Sequence, residues 1–206
     1  MKKVLFYFVL SLILVNLSNA QGNYPISLGI ELGYKAGINA ADVPQGTKNG
    51  VSFADLPDFG LQGYMPFQGD NNMGVLGNLG YYTFPYKFTF EGNNSEIKYN
   101  FRYIAFGLDF YLSGFTIGLN YGFPSAAKRE DKDLKTDLLS NLFEFRLGGH
   151  IPMLYTDFGR LNFNIKASYF ISGQYNDNNI FQGKNTNPAS LSFGVSFLFN
   201  LTPTEE

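Results

Sequence analysis

The chain predicts an all-β fold, an eight-stranded antiparallel transmembrane β-barrel with periplasmic termini, formed after a cleaved signal peptide. Three observations predict it. From Ala189 to Leu201 every odd position is apolar and nearly every even one is Ser, Gly or Asn, a strand built for two different solvents. The same odd/even contrast recurs along the chain. Ahead of it, Met1 to Ala20 reads as a secretory leader: Lys2 and Lys3, then the apolar run Val4 to Val15, then the small-x-small site Ser18-Asn19-Ala20. That run is shorter than the roughly 20 residues a spanning helix needs, so cleavage after Ala20 and a barrel domain over residues 21–206 are expected.

The strands follow in order. The first, Ile26 to Ala36, alternates Ile26, Leu28, Ile30, Leu32 and Tyr34 with Ser27, Gly29, Glu31, Gly33 and Lys35. After the long polar stretch Gly37 to Asp58 comes the second, Phe59 to Phe67, then a turn over Gln68 to Asn72, where residues tolerant of positive φ cluster. The third runs from Met73 to Glu91, and Gly92-Asn93-Asn94 turns it into the fourth, Glu96 to Tyr111. Ser113-Gly114 gives a tight turn into the fifth, Phe115 to Phe123, whose alternation is unbroken. A charged loop, Pro124 to Asp137, precedes the sixth, with Leu139, Phe143, Phe145, Leu147 and Ile151 opposite Glu144, Arg146, Gly148 and His150. A short turn at Thr156 to Gly159 leads to the seventh, Leu161 to Gly173; the long loop Asn176 to Pro188 precedes the eighth.

Loop lengths alternate long and short, with the short ones after strands two, four and six. A barrel with periplasmic termini has that order, because its short turns face the periplasm and its long loops the exterior. The competing fold is a soluble lipocalin-like cup, apolar inside around a small ligand. Outward positions almost free of Lys and Glu, a small polar opposite face and asymmetric loops favour the membrane version.

Ser192-Phe193-Gly194-Val195-Ser196-Phe197-Leu198-Phe199 is similar to the barrel-assembly signal of outer-membrane proteins. With the leader and eight strands, the chain resembles the small OmpA/OmpX-like outer-membrane barrels, especially the barrel-only proteins of the Bacteroidetes type. The resemblance implies residence in the cell outer membrane, contact with membrane lipid and lipopolysaccharide, and passage through the barrel-assembly machinery. Asn200 to Glu206 follow the motif, whereas the family signal usually ends its chain. The cell-wall tethering of larger family members is not implied.

The third and fourth strands exceed the roughly 9 to 11 residues a tilted strand needs to cross a membrane. Their apolar phase also flips: Val75, Leu79 and Tyr81 are odd but Tyr86, Phe88 and Phe90 even, and Ile97, Tyr99 and Phe101 are odd but Ile104, Phe106, Leu108 and Phe110 even. A paired bulge where Pro85 meets Arg102 or Tyr103, near the outer membrane surface, accounts for the flip. The hairpin tip then projects with Tyr86, Phe88, Phe90, Ile97, Tyr99 and Phe101 on one face, a contact surface for an extracellular macromolecule unless the Gly37 to Asp58 loop covers it.

Composition narrows the chemistry. Without the leader, 13 Lys and Arg face 17 Asp and Glu, a net charge of about −4, so nucleic acid is not an expected partner. There is no Cys, so no disulfide, thiolate metal site or lipid-bearing thiol exists, and a single histidine, His150, rules out a multi-His metal site. Ser-His-acid catalysis would have to use His150, which the topology turns inward, so no enzyme and no cofactor are expected; an outer-membrane lipid hydrolase is the third reading. The inward charges Glu31, Lys35, Lys98, Arg102, Asp109, Glu144, Arg146 and Lys166 are expected to pair as a structural network. The run Lys128 to Lys135 reads as solvated loop. The function predicted is that of a monomeric membrane barrel without a wide pore, structural or surface-interacting; a barrel binding a small apolar ligand is second.

Overall fold

The computed structural model of the chain describes residues 26–67, 70–176 and 185–201, with the side chains of 70–72 left aside. The leader Met1 to Ala20, the tail beyond Leu201 and most of the last long loop lie outside the described residues. In chain order the strands are β1 (Ser27–Asn39), β2 (Thr47–Gly50), β3 (Ser52–Phe53), β4 (Asp58–Phe67), β5 (Asp70–Phe90), β6 (Glu96–Leu112), β7 (Phe115–Arg129), β8 (Lys132–Asp133), β9 (Leu142–Thr156), β10 (Gly159–Phe170) and β11 (Pro188–Asn200). Eight are long, and they pair in the ring β11-β10-β9-β7-β6-β5-β4-β1, which β1 and β11 close from Ser27↔Asn200 to Asn39↔Pro188. Every pairing is antiparallel.

Closure removes the sheet edges that lipid could not hydrogen-bond. Ser113 at φ 47° and Gly114 at φ 91° make the two-residue β6–β7 turn, because positive φ at both positions matches the strands' twist. On β6 the outward apolar run Ile104 to Leu112 is nine residues. At a rise of about 3.3 Å and a tilt of roughly 40° it covers about 20 Å of membrane normal, close to the ~25 Å apolar band of such barrels.

The long hairpin differs from expectation. β5 and β6 stay in unbroken register from Met73↔Leu112 to Thr89↔Glu96, and Pro85 stands opposite Asn100 rather than Arg102 or Tyr103. Among the described residues the shift nearest to it lies between β6 and β7, where Arg102↔Ala126 follows Tyr103↔Pro124 and leaves Ser125 unopposed. Even positions of β5 and odd positions of β6 therefore face inward along the whole hairpin. What flips is the solvent. Below Tyr81 and Ile104 the outside is apolar and the inside polar; above them Phe84, Tyr86, Phe88, Tyr99, Phe101 and Tyr103 turn inward as an aromatic core, with Leu139, Leu142, Phe170 and Tyr175. Above the belt both outer flanks are water, so the strands invert their pattern to that of a soluble barrel.

The first long loop is partly strand. β2 adds to the β5 edge over Lys87–Phe90, β3 pairs with β1 at Ala36–Gly37, and Phe53 stacks on Tyr34 at 6.4 Å. The charged stretch after Phe123 is partly strand too: β7 continues to Arg129 and folds back on β8 through Glu130 at φ 52°.

Candidate functional site: the filled lumen and the outer wall

The lumen's centre is a chain of side chains running round the barrel. Lys166 Nζ on β10 donates to Glu31 on β1 at 2.5 Å, and Gln62 on β4 donates to Glu31 and, at 3.1 Å, to Asn78 on β5. Asn78 donates to Asp109 on β6 at 2.8 Å, and Arg146 Nη2 on β9 donates to the other Asp109 oxygen at 2.7 Å. Asn120 on β7 donates to Glu144 at 2.9 Å, and Lys35 pairs with Asp58 at 2.9 Å. Asp58, Asp109 and Glu144 are buried and Glu31 nearly so, and each has a donor, as ions removed from water require. Between them a cavity of about 20 Å³ remains, room for about one water.

Both ends of this polar layer meet aromatic groups. Above, Tyr86 stacks on Tyr99 at 5.1 Å and on Phe101 at 5.6 Å, and its hydroxyl is 3.2 Å from Thr186 Oγ1. Burial holds the Tyr86 and Tyr175 phenols above their ordinary value, so both keep their protons as hydrogen-bonding groups. Below, Arg160 lies over Tyr64 at 4.5 Å and Tyr111 at 5.6 Å, and His150 meets the edge of Tyr111 at 6.4 Å.

Glu31, Asp109, Glu144, Arg146 and Lys166 are thus brought together in the lumen, whereas two of the named charges are not. Lys98 is exposed on the outer wall, because the hairpin's inward face keeps odd numbers on β6. Arg102 also points outward and pairs with Asp55 from the first loop. The expected aromatic contact surface is corrected as well. Tyr86, Phe88, Tyr99 and Phe101 are buried in the upper core, Ile97 packs against it half-buried, and only Phe90, at the tip, is partly exposed. These residues are apolar because they are interior, and the first loop adds only Val43 to the packing around them.

Gln62, Asn78 and Asn120 were not singled out from sequence, although their even positions among apolar odd neighbours were the available signal. Asp58 opens β4 and also accepts the backbone N–H of Thr83 at 2.7 Å, filling a donor that β4 is too short to reach.

A closed eight-stranded barrel with an apolar outer belt and an ion-paired interior is a transmembrane β-barrel of the outer-membrane kind. No protein-family model matches the sequence, and no curated protein does. Among solved structures, the chain is similar to OprG from Pseudomonas aeruginosa at 12% identity, covering 86% of this chain and 97% of that one, with a TM-score of 0.39. It is also similar to Ail of Yersinia pestis, solved with the heparin analogue sucrose octasulfate, at 12% identity over 85% and 99% of the two chains and a TM-score of 0.40. Neisserial surface protein A is similar at 11% identity over 83% and 95%, with a TM-score of 0.43.

Proposed function

We propose that this outer-membrane barrel serves a structural or surface-interaction role and forms no wide pore, with its termini in the periplasm and its long loops outside. The observation that carries this reading is the filled lumen, in which an ion-paired layer lies between two aromatic ones. Polar side chains inside and apolar ones outside also disfavour a soluble cup around an apolar ligand. The partners in this reading are membrane lipid and lipopolysaccharide, the assembly machinery during biogenesis, and an extracellular macromolecule reached through the rim. Planar-bilayer recording of the purified protein tests it. Small or flickering currents are expected, and large, stable conductance of the porin kind overturns it.

A further inference from the structure

We propose that Arg160 anchors an acidic strap: Glu205 and Glu206, in the stretch that runs on past the barrel-assembly motif, dock on its guanidinium and close the mouth of the barrel on the side of the short turns. Arg160 is the second residue of β10 and points inward, beside Leu198 of β11 and Tyr155 of β9. Its guanidinium reaches across the mouth over the rings of Tyr64 on β4 and Tyr111 on β6. Among the described residues no carboxylate pairs with it, and its Nε has no hydrogen-bond partner. The groups around it do not supply an anion. His150 meets the edge of the same Tyr111 ring, Glu31 higher in the lumen is held by Lys166 and Gln62, and Asp157, in the preceding turn, is exposed.

Among the described residues Arg160 is also the one Lys or Arg at this end of the barrel. Lys35, Arg146 and Lys166 belong to the ion-paired layer, and the others stand on the outer half of the wall or in the outer loops. A guanidinium stacked on aromatic faces keeps its edge N–H groups for a carboxylate, and one already held by two rings loses little freedom on pairing. The acids are within reach. The Leu201 N–H donates to Ile26 O at 2.7 Å, so the chain is tied to the wall up to that residue. Glu205 follows four residues later and Glu206 five, in a stretch with two acids and no base. Four extended residues span about 13–14 Å, whereas Leu198, beside Arg160, is three residues back along β11, about 10 Å. The carboxylates therefore reach the guanidinium without any rearrangement of the strands.

The test uses the full mature chain folded in phosphatidylcholine bicelles, whose lipid has no net charge to compete for Arg160. Because the chain has no Trp, Thr204→Trp gives a single reporter next to the two acids, and its quenching by acrylamide is compared with that of a free peptide of residues 201–206 carrying the same substitution. Charge-assisted pairing favours the docked form by roughly tenfold, so the reporter should be quenched at least about threefold less than the peptide. Arg160→Gln should return it to the peptide's value, as should joint Glu205→Gln and Glu206→Gln replacement, which touches no residue of the barrel wall. The charge swap of Arg160→Glu with Glu205→Lys and Glu206→Lys should restore the protection. Equal quenching of the parent chain and the peptide overturns the strap. So does protection that persists in the Glu205 and Glu206 variant, because lipid or an uncharged contact would then be shielding the reporter.

Discussion

Phe101 and Phe106 sit five residues apart on β6, on opposite faces, and replacing each tests whether the strand meets lipid on one side and a packed core on the other. Phe101 is 0% exposed, with ring centroids 5.6 Å from Tyr86, 5.9 Å from Tyr99 and 5.9 Å from Tyr175. Its burial is worth about 1.5–3 kcal/mol, each ring contact adds about 0.5–1.5 kcal/mol, and the cavity left by Phe101→Ala brings the expected cost to about 3–5 kcal/mol. Phe106 is 53% exposed on the belt, so Phe106→Arg should cost about 2–4 kcal/mol near the midplane. On that same outward face but above the belt, Lys98→Gln should stay within about 0.5 kcal/mol. Urea unfolding of the three variants in phosphatidylcholine vesicles measures all of these. A cost below about 1 kcal/mol for Phe101→Ala would refute the packed upper core, and a Phe106→Arg variant as mild as Lys98→Gln would refute the lipid-facing assignment.

Asp109→Ala strands Arg146 in the lumen and should cost about 3–5 kcal/mol, whereas joint replacement of Asp109 by Leu and Arg146 by Met should recover much of the loss; equilibrium unfolding of single and double variants checks this. Ser168 and Ser190 share one hydroxyl hydrogen bond at 2.7 Å, so Ser168→Ala should cost only about 1 kcal/mol in the same assay. The hydrogen bond from Lys87 holds the Glu96 carboxyl below its ordinary value. Its contribution is therefore present at neutral pH and is lost as pH falls through the lowered value. An NMR titration should place the Glu96 midpoint below that of an unpaired glutamate, and Lys87→Gln should return it upward.

The eight long strands were legible because one face of each meets lipid, and a lipid-facing row leaves no freedom in its alternation. β1, predicted over Ile26 to Ala36, runs Ser27–Asn39; β11, predicted over Ala189 to Leu201, runs Pro188–Asn200. The β5–β6 hairpin was located correctly but its apolar flip was read as a bulge. In sequence, a one-residue slip and an exchange of solvent give the same signature, and only the register Phe84↔Phe101 separates them. β2 was illegible for another reason: Thr47-Lys48-Asn49-Gly50 has no pattern of its own and becomes strand because the free edge of β5 offers unpaired backbone groups. The lumen chain was half legible, since charges announce a need for partners but the amides Gln62 and Asn78 that link them look like ordinary polar spacing.

The same inversion decides where this protein can interact. Inside the belt, inward positions must be small or paired, because eight strands enclose little volume, and the chain from Lys166 to Arg146 uses that volume. Above the belt the interior is filled by Phe and Tyr, so a solute entering from the rim would have to displace packed rings before reaching the polar layer. Below, Arg160 across Tyr64 and Tyr111 stands in the way. What a partner can reach is therefore the outer strands and loops, and there the first loop already closes on β6, where Asp55 pairs with Arg102 and donates its N–H to Asn100 at 3.4 Å.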